Sequence, residues 1–93
     1  RSAHFELARQ LFGHMTTARR ELPSGYAFQF DASALPSVVR FIENERRCCP
    51  FMTFELEVSP GSGPLSLRMT GPEGTRAVLD AELNLSSSCG CRS

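Results

Sequence analysis

The chain has 93 residues, 41% hydrophobic and 22% charged, with ten basic side chains balancing ten acidic ones. That size and composition suit one small soluble domain with a single modest core and exclude wholesale disorder. The zero net charge argues against a nucleic-acid surface, which shows as a basic excess, and no apolar run reaches the roughly 18 residues of a membrane span.

Phe5, Ala8, Leu11, Phe12, Met15, Ala18 and Leu22 recur at spacings of three and four, which predicts an amphipathic helix over residues 3–22. Arg19 and Arg20 fall in its last turn, where they suit the dipole, and Pro23-Ser24-Gly25 ends it. Tyr26, Phe28 and Phe30 then alternate with Ala27 and Gln29 as a short strand with an aromatic inner face. Asp31 to Ser33 opens a second helix, with Ser33 as N-cap and Leu35, Val38, Val39 and Ile42 as the apolar stripe. Pro50 disfavours a helical Cys49 and stops this helix. Met52 to Val58 and Leu65 to Thr70 alternate as strands around the turn Ser59-Pro60-Gly61-Ser62-Gly63-Pro64, with Glu55 or Glu57 facing Arg68. Thr70 and Glu73 fit a capping box for a last helix running to about Leu85, with Val78, Leu79 and Leu83 inward.

The expected fold is α+β, in the order α-β-α-β-β-α: a three-stranded sheet with helices on one face, a truncated ferredoxin-like pattern lacking its last strand. Residues 1–85 form a single domain, and 86–93 read as a flexible tail. The chain begins at Arg1 rather than Met, so a trimmed protein or a piece of a longer one is expected.

The chemistry lies in the cysteines. Cys48 and Cys49 are adjacent, and Cys89 and Cys91 flank one glycine. A secreted scaffold spreads its cysteines to close long loops, so two tight pairs point to a reduced, cytoplasmic setting. Thiolates are soft ligands for thiophilic ions. Cys49 continues the apolar stripe seven residues after Ile42 and faces the core, whereas Cys48 faces its edge beside Glu45, a third, oxygen ligand or a proton acceptor. Both cysteines stand at a helix C-terminus, where the dipole favours a bound cation over a free thiolate. Cys89-Gly90-Cys91 reads as a flexible pincer. Against a shared site, the expected topology puts the ends of the second and last helices at opposite ends of the sheet. The pairs then meet only if the tail runs back along the domain, or across a homodimer. His4 and His14 stand ten residues apart and read as solvated side chains. No phosphate loop and no Ser-His-Asp set can be drawn, and no catalytic residue is assigned.

Glu45-Arg46-Arg47-Cys48-Cys49-Pro50-Phe51, with Phe54 to Val58 and Leu67 to Gly74, resembles a group of small bacterial proteins marked by an E-R-x-C-C-P-F run. Such domains accompany heavy-metal resistance functions, including mercury-related ones. The resemblance implies metal binding at Cys48 and Cys49, with Glu45 nearby, and implies nothing for the first helix.

Three functions follow as expectations. The first is a thiophilic metal-binding protein for mercury, copper(I), zinc or arsenite, acting in resistance, sensing or trafficking, with Cys48, Cys49, Cys89, Cys91 and Glu45 as ligands. Two thiolates suit mercury or copper(I), and more suit zinc or arsenite. The second is a thiol redox enzyme in which Cys48 or Cys49 attacks and Cys89 and Cys91 relay electrons. The third is a partner-binding sensor module whose cysteines are incidental. The expected partner is a metal ion, without nucleic acid or membrane.

Overall fold

The computed structural model describes residues 2–83, with side chains from Glu6 onward. The tail with Cys89 and Cys91 lies outside the described residues, as do residues 84 and 85 at the expected end of the last helix.

The N-terminal segment divides where a continuous helix was expected. Helix α1 spans Ser2–Gln10, a single π turn spans Leu11–Met15, and strand β1 spans Thr16–Leu22. Gly13 weakens helix over this stretch, and the β-branched pair Thr16-Thr17 favours extended backbone. The Thr16 hydroxyl donates to the Leu11 carbonyl at 2.9 Å where the helical segment ends. Pro23-Ser24 is the two-residue turn of a hairpin, because Leu22 pairs with Gly25 at the start of strand β2, Gly25–Phe30. Arg19 and Arg20 are therefore strand residues rather than the last turn of a helix. The helical spacing of Ala18 and Leu22 is coincidental, since both are more exposed than a core stripe requires.

Helix α2, Leu35–Cys48, follows a 3-10 turn over Ala32–Ala34. The side-chain cap is on the 3-10 turn and is Asp31, not Ser33: its carboxylate accepts the Ser33 backbone N–H at 3.0 Å and the Ser33 hydroxyl at 2.8 Å. Strands β3, Thr53–Val58, and β4, Leu65–Thr70, form the expected hairpin, and helix α3 spans Thr75–Leu83. Thr70 closes β4 instead of capping α3. That helix begins only after Gly74, whose φ of 96° is open to glycine, and both the N–H and the hydroxyl of Thr75 donate to the Pro72 carbonyl.

Among the described residues the sheet has four strands, not three, all antiparallel, in the order β1-β2-β4-β3. The run β2-α2-β3-β4-α3, with β4 between β2 and β3, is the expected ferredoxin-like pattern. The place beside β2 that a final strand would take is filled by β1, which precedes the pattern in the chain. At its foot β2 lies so close to β4 that a Cβ on Gly25 would fall 1.8 Å from the Met69 carbonyl oxygen, so only glycine fits there.

One core lies between the sheet and the helices. Tyr26, Phe28, Phe30, Leu65, Leu67 and Met69 line the inner face and pack against Leu11, Val38, Phe41, Leu79 and Leu83. Phe12, on the π turn, meets Phe28, Phe30 and Phe41 edge-on at centroid distances of 4.7, 5.7 and 5.0 Å, a geometry that favours aromatic pairs. Helix α3 is tied to the sheet by the Tyr26 hydroxyl, which donates to Asp80, and by Arg76, which bonds Glu21 on β1 at 2.9 Å. The other sheet face carries polar and small residues and is open, as antiparallel sheets allow.

Candidate metal centre at the end of helix α2

The face that α2 turns to the core is Val38, Phe41 and Glu45, at spacings of three and four that stack on one side of a helix. Val39, expected inward, is 40% exposed, and Phe41 takes the central place instead. Glu45 is fully buried at the base of this stripe. The helix stops one turn later: the Cys49 N–H still donates to the Glu45 carbonyl at 2.7 Å, but the Cys49 backbone has left the helical region at φ −129° and ψ 71°. Pro50 enforces that break, and the Met52 N–H closes the following turn on the Cys49 carbonyl at 3.1 Å.

The break separates the two thiols. Cys48 remains on the last helical turn, exposed beside exposed Arg46 and Arg47, whereas Cys49 is buried. This is the division the sequence suggested, but Glu45 does not share the edge with Cys48. It lies inside with Cys49, because four residues separate it from both Phe41 and Cys49 on the buried side.

Helix α3 completes the group. The Cys49 sulfur and carboxylate oxygens of Glu45 and Glu82 all lie within 4.8 Å of one another, with Glu82 half-buried. Burial first, then the charges of Glu45 and Glu82 and the hydrogen bond to Glu45, push the Cys49 thiol up from an ordinary 9.0 to about 12. Cys49 is therefore a neutral thiol at physiological pH. It is a poor free nucleophile, and it becomes a thiolate only when a cation replaces its proton.

Glu82 was not identified from the sequence, although a signal existed. Thr75, Leu79 and Glu82 stand at spacings of four and three, the same face that buries Thr75 and Leu79. Val78, expected inward, is 40% exposed. Glu82 also overturns the expectation that α2 and α3 end at opposite ends of the sheet. The last turn of α3 reaches the C-terminal end of α2, so the chain leaves Leu83 beside Cys49. Exposed His14 stands on the π turn, outside this group, and the His4 side chain is not among those described. No helix among the described residues is long and apolar enough to cross a membrane.

Comparison with protein-family models, with curated proteins and with solved structures finds no match to this chain.

Proposed function

We propose that the chain is a thiophilic metal-binding protein that works in a reducing, cytoplasmic setting in metal resistance, sensing or trafficking. The observation that carries this reading is the Glu45–Cys49–Glu82 group, a sulfur and two carboxylates brought together from two helices, with the exposed thiol of Cys48 on the adjoining residue. A cation there offsets carboxylate charge that is expensive to bury and takes the place of the Cys49 proton.

Cys48 is the entry ligand, since it alone of the pair faces solvent. Cys49 is the second sulfur. Glu45 is either an oxygen ligand or the group that receives the displaced proton, and Glu82 has the same two options. Cys89 and Cys91 follow Leu83 by six and eight residues, which span at most about 20 and 26 Å at roughly 3.3 Å per residue. Because the chain leaves Leu83 beside Cys49, both fall within reach of the same ion in the same molecule, without a run back along the domain or a second copy. Two sulfurs alone suit mercury(II) or copper(I). Four sulfurs, or two or three completed by carboxylates, suit zinc, and three suit arsenite.

The redox alternative is weaker at Cys49, whose raised pKa removes it as the attacking thiol and leaves that role to Cys48 alone. Stability measures the choice. A metal bound by the folded state at a hundred times its dissociation constant adds about 2.7 kcal/mol, which raises the melting temperature of a domain this size by roughly 10 °C or more. Reduced protein with one equivalent of zinc, copper(I) or mercury(II) is expected to gain that much with at least one of them. A melting temperature unmoved by all three, and by arsenite, sinks the metal reading.

A further inference from the structure

We infer that the buried group selects a borderline divalent ion, zinc(II) or its heavier congener cadmium(II), held by the Cys49 sulfur and the carboxylates of Glu45 and Glu82. This rests on the metal reading above and narrows it. Cys48 then serves exchange at the remaining coordination position and is not needed to make the site.

The donor set decides the class of ion. The Cys49 sulfur and one oxygen each from Glu45 and Glu82 lie within 4.8 Å of one another, and Cys48 does not belong to this group. Cys48 keeps its exposed place on the last turn of α2, whereas the break that ends the helix carries Cys49 inward. Mercury(II) and copper(I) call for two sulfurs and arsenite for three, but the inner group offers one. Magnesium and calcium call for a cage of oxygens. One thiolate joined by two carboxylates is the mixed set of a zinc-type ion, whose filled d shell imposes no geometry of its own on the two helix ends. Charge points the same way. A thiolate and two carboxylates leave one net negative charge around a divalent ion but two around copper(I), and charge is costly inside a fold.

The surroundings suit an ion that enters and leaves. Glu45 has partners, yet its Oε2 atom is buried with no hydrogen bond among the described residues, and an oxygen in that state gains from a cation. Glu82 is half-buried, so the group borders the surface on the α3 side. Zinc–sulfur and zinc–oxygen bonds of about 2.3 and 2.1 Å set tetrahedral donors roughly 3.3–3.6 Å apart. The three atoms therefore draw in by at most about 1.5 Å, a movement within the reach of the Glu82 side chain. Three protein ligands leave a fourth position open, as in zinc sites that keep a place for water or an incoming ligand. Exposed Cys48, on the adjoining residue, is placed to hand the ion over there.

Zinc(II) binding by the full-length reduced chain in competing glutathione tests this. Cys48→Ser/Cys89→Ser/Cys91→Ser leaves Cys49 as the sole thiol. This triple variant is expected to keep one zinc while losing mercury(II) and copper(I) to glutathione. X-ray absorption at its zinc edge is expected to show one sulfur at about 2.3 Å beside oxygens at about 2.0–2.2 Å. Cys49→Ser and Glu82→Gln are each expected to weaken zinc binding about tenfold or more, with the circular dichroism of the metal-free fold unchanged. Zinc held by the wild type but not by the triple variant, a zinc spectrum of that variant without sulfur, or an affinity indifferent to Cys49→Ser and Glu82→Gln would each overturn the inference. A wild type that holds mercury(II) or copper(I) but no zinc would also overturn it and leave the metal reading standing. A wild type that holds none of the three would end both.

Discussion

Iodoacetamide alkylation of Cys49 follows directly from the geometry at the end of α2. Its thiol is raised from 9.0 to about 12 by burial and by Glu45 and Glu82. At neutral pH this lowers the thiolate fraction about a thousandfold relative to an unfolded chain. The more basic thiolate is a better nucleophile, and a Brønsted coefficient of about 0.4–0.5 recovers roughly fifteen- to thirtyfold of that loss. The net slowing from ionisation alone is about thirty- to sixtyfold, before steric protection at 9% exposure is added. Metal-free, reduced protein carrying Cys48→Ser, sampled over time and mapped by tandem mass spectrometry, isolates this thiol, with the urea-denatured chain as reference. Glu45→Gln removes one charge and keeps the shape, so it is expected to return about threefold of the rate while burial retains the rest. Cys49 modified as fast in the folded protein as in urea would refute the burial and charge argument together. An unchanged rate in the glutamine variant would refute the charge part alone.

The same shift gives a pH dependence of stability. The folded-state pKa of Cys49 lies above its unfolded value, so its contribution is full below about pH 9 and is lost as pH rises toward 12. Urea midpoints of metal-free protein are expected to fall over that window, and less steeply in Cys49→Ala. Phe41 is fully buried and stacks edge-on with Phe12, so Phe41→Ala is expected to cost about 3–5 kcal/mol in urea denaturation. Gly25→Ala would push a methyl group against the Met69 carbonyl, and it is expected to cost about 1–3 kcal/mol by the same assay as β2 and β4 separate. Cys48→Ser, at an exposed position, is expected to leave the stability of the metal-free protein within about 0.5 kcal/mol of the wild type.

Much of the fold was legible because strong local signals agreed with the tertiary arrangement. Tyr26, Phe28 and Phe30 alternate with polar or small neighbours and are buried on the inner face. The Pro- and Gly-rich turn joins two strands whose alternation matches their pairing. The N-terminal segment misled because its apolar residues fit a helical period up to Leu22, while the deciding interaction is non-local. Residues 16–22 become a strand because β2 offers them an edge across the turn at Pro23-Ser24. The extra strand also shifts the comparison with a ferredoxin-like sheet, since the fourth place is filled from the other end of the chain.

The candidate site was half legible. Adjacency of Cys48 and Cys49, with Cys49 seven residues after Ile42 on the apolar stripe, correctly divided one thiol outward and one inward. Glu45 was named but placed at the wrong edge. Its place three residues before Cys48 suggested the edge, whereas its spacing from Val38 and Phe41 puts it on the buried stripe. Glu82 was missed for a related reason. A carboxylate at the end of a helix looks solvated in one dimension, and only the crossing of α3 toward the end of α2 gives it partners.

Native mass spectrometry of the reduced chain with one equivalent of zinc, copper(I) or mercury(II), in the presence of competing glutathione, tests the metal reading most directly. The expected result is a retained ion in the wild type, lost in Cys48→Ser/Cys49→Ser and weakened in Glu45→Gln or Glu82→Gln. Retention unchanged by the double cysteine substitution, or no ion held against glutathione by the wild type, would contradict a metal centre at the end of helix α2.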